Sequence, residues 1–277
     1  AAARVRRAQE AVVSSRPFAE NLVQLLYEIN QRLQIEDIDV PLTRVSPVRK
    51  VALVVITGER GLCGSFNKSV LNKAEERMAE LKRSSKIPID SLFEGGGFPT
   101  AKDAQVIADE VFSIFVSEEV DKVELIYTKF VSLVNSKPVV ATLLPLSPKG
   151  GLRDVNGNCV DATDDELFKL TTKEGKLVIE RERVEFGEKE ICPLMEFEQD
   201  PVQIVDALMP LYLNSQILRG LQESLASEVA ARMNAMSTAT DNAVDLNKSL
   251  SLRFNRERQA KITGEILEIV SAADLVI

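Results

Sequence analysis

The chain has 277 residues, of which 45% are hydrophobic and 27% are charged, an ordinary balance for a globular protein of one or two domains. Its net charge of −8 argues against a nucleic-acid-binding protein, which would carry a basic patch. The absence of histidine excludes histidine-based acid–base catalysis and histidine-ligated metal sites. The three cysteines fit no zinc-binding spacing, and we find neither a transmembrane run nor a signal peptide.

The first 36 or so residues are predicted to be helical in two pieces. Apolar residues at three- and four-residue spacing form one stripe before Pro17 and a second from Phe18 to Leu33. Because proline disrupts a helix interior, we expect a kink or break at Pro17. The chain opens in mid-helix at Ala1 without an initiator methionine or a cap residue, which we interpret as a truncated or processed end.

A strand, a turn and a helix follow in succession. Residues 51–56 form a β-branched run typical of a strand buried on both faces, residues 57–66 a glycine-rich turn, and residues 67–83 a predicted helix. The turn lacks the lysine of a P-loop, since Ser65 and Phe66 follow its last glycine, and it lacks the dinucleotide-binding fingerprint. We interpret it as a tight strand-to-helix turn, with a phosphate at the helix N-terminus as the alternative.

The next elements indicate an α/β fold. A helix is predicted over residues 100–116, with Thr100 as N-cap and Asp103 three residues later. Strands are predicted over residues 123–127 and, after Pro138, over residues 139–144. Strands that alternate with helices favour a largely parallel sheet.

Residues 147–195 change in character and are predicted to form an insertion. The pair Asn156-Gly157 favours a hairpin, and residues 177–181 have the composition of a strand. The acidic cluster over residues 161–166 lacks the spacing of an EF-hand, so we interpret it as a solvated loop.

The last predicted element is a very long helix that begins near Pro201 and is bent near Pro210. No proline and only two glycines follow Pro210, so this helix would extend about 100 Å. Its predicted contact stripe, in steps of three and four, is Leu218, Leu221, Leu225, Val229, Met233, Met236, Thr240, Ala243, Asn247, Leu250 and Phe254. The chain's own globular part is too small to bury a stripe of that length.

Connectivity predicts how the two terminal helices pack. Both are rooted in the α/β part, so they must run antiparallel, and the longer one is expected to project beyond the shorter one from about Phe254 onward. Either another protein encloses this projection, or it continues the coiled coil against an N-terminal segment of the first helix that is missing from the chain. That projection carries basic residues that either form a solvated face or pair with acidic loops of a partner: Arg253, Arg256, Arg258 and Lys261.

We therefore predict a long antiparallel two-helix coiled coil from both termini plus a Rossmann-like α/β domain with an inserted hairpin. The predicted domains are the N-terminal coiled-coil helix (1–45), the α/β domain (46–146), the insertion (147–195) and the C-terminal coiled-coil helix (196–277).

Three stretches resemble one protein family, the gamma subunits of rotary ATP synthases. Residues 255–266 (NRERQAKITGEI) resemble its C-terminal signature, residues 56–64 its first strand and turn, and residues 3–9 the second half of its N-terminal helix. Residues 146–180 are similar to the regulatory insertion of the chloroplast form.

The resemblance implies a non-catalytic rotor shaft, without a cofactor or metal of its own, that couples proton-driven rotation to ATP synthesis on the beta subunits. The implied partners are the alpha and beta subunits of the catalytic hexamer, the epsilon subunit and the c-subunit ring. The implied location is the stromal side of the chloroplast thylakoid membrane, as a peripheral protein. The implied contacts with the catalytic subunits are Arg256, Arg258, Gln259, Thr263 and Glu265.

Two departures from the family pattern bear on regulation and on the sheet. Chloroplast gamma subunits carry a redox cysteine pair that thioredoxin opens and closes; here Cys159 matches one position, and Arg153 stands where the other is expected. We predict that Cys159 is a free thiol and that thiol switching is lost or altered, unless the insertion folds back toward Cys192. The family's strand and basic stretch between Lys82 and Ile87 is reduced to four residues, so the sheet is expected to be one strand short.

Two other functions fit parts of the pattern. A small α/β enzyme with a dimerising coiled coil would bind nucleotide at residues 58–64. A tethering coiled coil would need neither the α/β part nor the signature near Asn255.

Overall fold

The computed structural model describes residues 2–35, 47–81, 93, 97–145, 168–173, 176–181 and 200–274. The elements within these residues are α1 (Ala2–Ile35), β1 (Val51–Val55), α2 (Phe66–Leu81), α3 (Ala101–Val116), β2 (Lys122–Phe130), β3 (Ser136–Leu144), β4 (Phe168–Lys173), β5 (Lys176–Arg181) and α4 (Pro201–Asp274). Several predicted features lie outside the described residues: Arg153, Cys159, Cys192, the Asn156-Gly157 turn, the acidic cluster and the shortened segment after Lys82.

Helix α1 is one continuous helix, so the predicted break at Pro17 is wrong. Proline lacks the N–H that would bond the carbonyl of Val13, four residues earlier. Both residues lie on the exposed face, where water can satisfy that carbonyl, while Val12 and Ala19 on the opposite face are buried. Helix α4 likewise runs through Pro210, which is also exposed.

The two long helices run antiparallel, as predicted. The Gln216 amide donates to the carbonyl oxygen of Ala19 at 3.2 Å, and the Arg219 guanidinium lies 3.5 Å from the Glu20 carboxylate. Earlier in α1, Val12 joins a buried cluster that includes Ala226 of α4. Residue numbers therefore fall along α1 as they rise along α4.

The described sheet has the order β1-β2-β3 and is mixed instead of largely parallel. Strand β1 pairs parallel with β2, after a crossover that contains α2 and α3, whereas β3 pairs antiparallel with β2. The reason is the short connection over residues 131–135, which permits only an antiparallel return. Strand β3 also begins before Pro138 and includes it, because an edge strand tolerates the missing donor.

Burial within this sheet follows position. Every residue of β2 is buried, whereas β1 lies at the edge of the described sheet and is only half-buried. The prediction of a strand over residues 51–56 is thus confirmed in its type, but the prediction that both of its faces are buried is wrong. Separately, β4 and β5 pair antiparallel as a hairpin, which confirms the strand predicted over residues 177–181.

Helix α3 begins as its sequence predicts. The Asp103 N–H donates to the Thr100 hydroxyl at 3.4 Å, and the Thr100 N–H donates to the Asp103 carboxylate at 2.8 Å, which completes a capping box. The Thr100 hydroxyl also donates to the Asp103 carboxylate, at 2.8 Å. The hydrogen bonds that this carboxylate accepts from the N–H and the hydroxyl of Thr100 lower its pKa.

The buried face of α4 differs from the predicted stripe. Leu218, Leu221 and Leu225 are only partly buried. We call the sheet β1-β2-β3 with helices α2 and α3 the head. The face of α4 that packs on the head begins with large side chains (Val205, Met209, Tyr212, Leu213 and Ile217) and continues with small ones (Gly220, Ser224, Ser227 and Ala230). Small residues are needed there because a Cβ on Gly220 would lie 3.0 Å from Cδ2 of Leu125. The face of α4 that packs on the sheet is therefore set by how closely the helix backbone can approach the sheet. The spacing of apolar residues does not predict this.

A buried ionic cluster joins α2 to the centre of the sheet. The Arg77 guanidinium donates to both carboxylate oxygens of Glu124, at 2.9 and 2.7 Å, and Nζ of Lys122 lies 2.9 Å from the same carboxylate. The side chains of Lys122 and Glu124 are fully buried. Burial alone would raise the pKa of Glu124, but the Arg77 hydrogen bond and the Lys122 charge outweigh it and hold that pKa below its ordinary value of 4.5.

We expect Glu124→Gln to lower the free energy of unfolding at pH 7 by about 3–5 kcal/mol, because it removes the buried negative charge that Arg77 and Lys122 share. The folded-state pKa of Glu124 is depressed, so its contribution is present above pH 4.5 and is lost as the pH falls through the lower folded-state pKa. Urea unfolding of both proteins between pH 7 and pH 3 measures this difference.

The matched control is Glu76→Gln, which breaks an exposed ion pair with Lys73. We expect it to cost less than about 1 kcal/mol at any pH. Equal losses for the two variants would contradict a special role for the buried cluster.

Candidate functional site

Helix α4 continues far beyond the head without a neighbour among the described residues. Every residue from 236 to 271 is exposed except the partly buried Gly264, and we call this stretch the distal segment. It spans about 50 Å of helix. The projection was predicted to begin near Phe254 but begins earlier, because the buried cluster that Ala8 and Val12 of α1 form with α4 reaches only as far as Ala230.

Apolar side chains surround the distal segment on all sides. At about 100° per residue, they are not confined to the predicted stripe. A helix on the surface of a globular protein shows one apolar face, whereas a helix that is apolar all round is buried. These side chains are 44% to 72% exposed: Met236, Val244, Leu246, Leu250, Leu252, Phe254, Ile262, Ile266, Leu267, Ile269 and Val270. The segment therefore has no single apolar face, and its apolar side chains alternate with charged ones such as Arg256 and Glu265.

The five predicted contact residues all lie in this segment and all are exposed. Arg256, Gln259 and Thr263 fall within about 60° of one another, whereas Arg258 and Glu265 lie on the opposite side of the helix. The Thr263 hydroxyl donates to the carbonyl oxygen of Gln259 at 2.8 Å, and Lys261 lies 4.0 Å from Glu265. An exposed pair of that kind is weak, so these side chains are available to a partner. Their contact role stays a prediction.

The glycine-rich turn is occupied by the protein itself. The Gly58 N–H donates to Oδ1 of Asn67 at 2.9 Å, and Nδ2 of Asn67 donates back to the Gly58 oxygen at 3.1 Å. Arg232 of α4 donates to the carbonyl oxygens of Arg60 and Gly61 at 2.8 and 3.2 Å. A Cβ on Gly58 would lie 2.9 Å from Cδ of Glu228. This geometry supports a tight turn docked on α4 and leaves no support for a nucleotide site.

The described residues do not support a disulfide, a metal site or a membrane span. Cys63 is a free, buried thiol. Across the described ranges, no three side chains of the metal-binding types come together, and no helix is long and apolar enough to cross a membrane. The redox positions Cys159, Arg153 and Cys192 all fall in the part of the chain that the structure does not describe.

Comparisons with known proteins agree with this geometry. The ATP synthase family model matches residues 1–276. The chloroplastic ATP synthase subunit gamma of Zea mays is 65% identical over 294 residues, which cover 99% of this chain and 82% of that protein. The gamma chain of the cyanobacterium Cyanothece sp. (strain PCC 7425) is 50% identical, with 99% and 90% covered.

A solved structure shares the fold. It is a chain of the Tetrahymena thermophila mitochondrial ATP synthase central stalk and c-ring, with a TM-score of 0.53 and 22% identity. The similarity covers 86% of this chain and 95% of that chain.

An α/β head that carries a long, exposed helix is the fold of a stalk subunit. The chain belongs to the gamma-chain family of ATP synthase, and it is 65% and 63% identical to the chloroplastic gamma chains of Zea mays and Spinacia oleracea. Its function is that of the rotor shaft, and it is a non-catalytic subunit.

We expect the isolated chain to show no saturable ATP binding in equilibrium dialysis, because the hydrogen-bonding groups of the turn are taken by Asn67 and Arg232. A control with Gly61→Ala, at a position where a Cβ meets open space, should give the same result. Stoichiometric binding that this substitution abolished would favour the α/β enzyme instead.

Proposed function

We propose that this chain is the rotor shaft of a chloroplast ATP synthase and that its distal segment turns inside the ring of alpha and beta subunits. The observation that carries the proposal is the exposure of apolar side chains on every side of the distal segment. Burying such a helix requires a socket, since one flanking partner would cover only one side. A ring of subunits around the axis is such a socket.

The two sides of the distal segment supply the asymmetry that coupling needs. Three equal neighbours around a shaft that presents different side chains to each must adopt different states, with different nucleotide affinities. One side presents Arg256, Gln259 and Thr263, whereas the opposite side presents Arg258 and Glu265. Turning the shaft then moves each neighbour through the same series of states.

The finer partners follow from the same proposal. The head, at the other end of α4, is proposed to contact the epsilon subunit and the c-subunit ring, as a peripheral protein on the stromal side of the thylakoid membrane. The paired helices are proposed to form a coiled coil, because interlocked side chains resist twisting better than a single helix does. We also propose that the head has a Rossmann-like topology.

We expect Gln259→Ala and Thr263→Ala each to lower coupled ATP synthesis about fivefold, the effect of losing one hydrogen bond of about 1 kcal/mol. Assembly of the complex should fall less than synthesis does, since each variant leaves the other exposed side chains of the distal segment in place. Proton-gradient-driven synthesis in reconstituted complexes measures the effect.

The control for these two variants is Ser69→Ala on the head, which removes a hydroxyl with the same hydrogen bond to the carbonyl four residues earlier. It should leave synthesis unchanged. Unaltered synthesis in both distal variants would count against the proposed contacts.

Redox control is proposed to be lost or altered because Arg153 replaces the expected partner of Cys159. We expect peptide mapping under non-reducing conditions to find Cys159 as a free thiol, and we expect dithiol reduction by thioredoxin to leave ATPase activity unchanged. A disulfide between Cys159 and Cys192 would overturn this and would keep thioredoxin as a partner.

A further inference from the structure

Strand β2 is longer than the strand that covers one of its edges. Strand β1 ends at Val55, and the last hydrogen bond from that side joins the Ile56 N–H to the Ile126 oxygen at 2.9 Å. Strand β2 continues to Phe130. Because backbone groups alternate in direction along a strand, the N–H and C=O of Thr128 and Phe130 point to the side that β1 no longer covers.

Side chains of the two long helices bind these four backbone groups. The Thr128 N–H donates to Oγ of Ser224 at 3.2 Å, and the Ser227 hydroxyl donates to the Thr128 oxygen at 3.4 Å. The Phe130 N–H donates to Oε2 of Glu223 at 3.2 Å, and Nη2 of Arg16 donates to the Phe130 oxygen at 2.6 Å. The helices thus replace the missing strand at this edge.

Glu223 is the centre of this arrangement. Its side chain is fully buried, and its Oε1 accepts from Nε of Arg16 and Nε of Arg219, each at 3.1 Å. Glu20 lies 3.5 Å from Arg219, so two guanidinium groups face two carboxylates. A buried carboxylate that lost these donors would be strongly destabilised, which holds Glu223 to one geometry.

We propose that Glu223 is a positioning residue that fixes the rotational setting of α4 on the head, so that torque passes between head and shaft through directed hydrogen bonds. The proposal rests on the rotor function proposed above. Apolar packing is non-directional, so it does not by itself fix the rotation of α4 about its axis. The small residues Gly220, Ser224 and Ser227 also offer few side-chain atoms that could interlock with the sheet. Hydrogen bonds weaken steeply with misalignment, so a turn of α4 about its axis would break those of Ser224, Ser227 and Glu223 together.

The test measures torsional stiffness in the assembled complex. A probe is attached to the head through Lys102→Cys, at an exposed residue of α3, and the catalytic ring is held on a surface with a non-hydrolysable ATP analogue. We expect Glu223→Gln to raise the angular variance of the probe about twofold or more, because a loosened joint adds its compliance to that of the packed shaft. ATP synthesis against a load should fall more than unloaded ATP hydrolysis.

The matched control is Glu124→Gln, which removes an equally buried, ion-paired carboxylate that ties α2 to β2 without touching the shaft. It should destabilise the head and leave the angular variance unchanged. Equal variance increases in the two variants would reduce Glu223 to an ordinary structural residue and overturn the proposal.

A second variant guards against failure of Glu223→Gln to fold. Ser224→Ala keeps the charges and removes only the acceptor of the Thr128 N–H, so a smaller rise in variance is expected. An unchanged variance would overturn the proposal. If the unaltered complex neither rotated nor made ATP, the proposed rotor function itself would fail. That result is distinguishable from failure of the Glu223 proposal, which is judged only by the angular variance of the variants.

Discussion

The constraint on which the rest of the structure depends is that one helix extends about 50 Å beyond the described elements that cover it. A helix packed against a single neighbour buries one face, and α4 does so along the head, from Val205 to Ala230. Beyond residue 235 the same helix exposes apolar side chains on all sides. Among the described residues nothing covers that stretch, which fits the contacts with other subunits proposed above.

The distribution of charge complements this arrangement. Burying ions is costly, yet the head buries two ionic clusters, one centred on Glu124 and one on Glu223. Both bind atoms of β2, the fully buried central strand: the first through side chains, the second through the backbone of Phe130. Such clusters often add less stability than apolar packing of equal volume, but a change of placement that separates their partners is costly. A part that transmits force has use for that property.

The candidate site combines what the residues indicate with what only geometry supplies. The signature over residues 255–266 pointed to partner contacts, and helical periodicity places Gln259 and Thr263 opposite Arg258 and Glu265. By contrast, no sequence motif marks the hydrogen bonds that Glu223 and Ser224 make to the backbone of β2. Glutamate and serine in a helix are ordinarily assigned to solvent, and their partners Thr128 and Phe130 are about a hundred residues away along the chain.

Local chemistry in the sequence by itself determined the type and approximate limits of most elements: the capping box of Thr100 and Asp103 starts α3, and the absence of breakers after Pro210 lengthens α4. Tertiary structure decided the rest. It kept α1 continuous through Pro17, because that residue lies on the exposed face. It also set the buried face of α4, because close approach to a sheet selects Gly220 and Ser224, whose small side chains carry no hydrophobic signal. Burial depends on neighbours distant in the chain, which residue spacing alone does not specify.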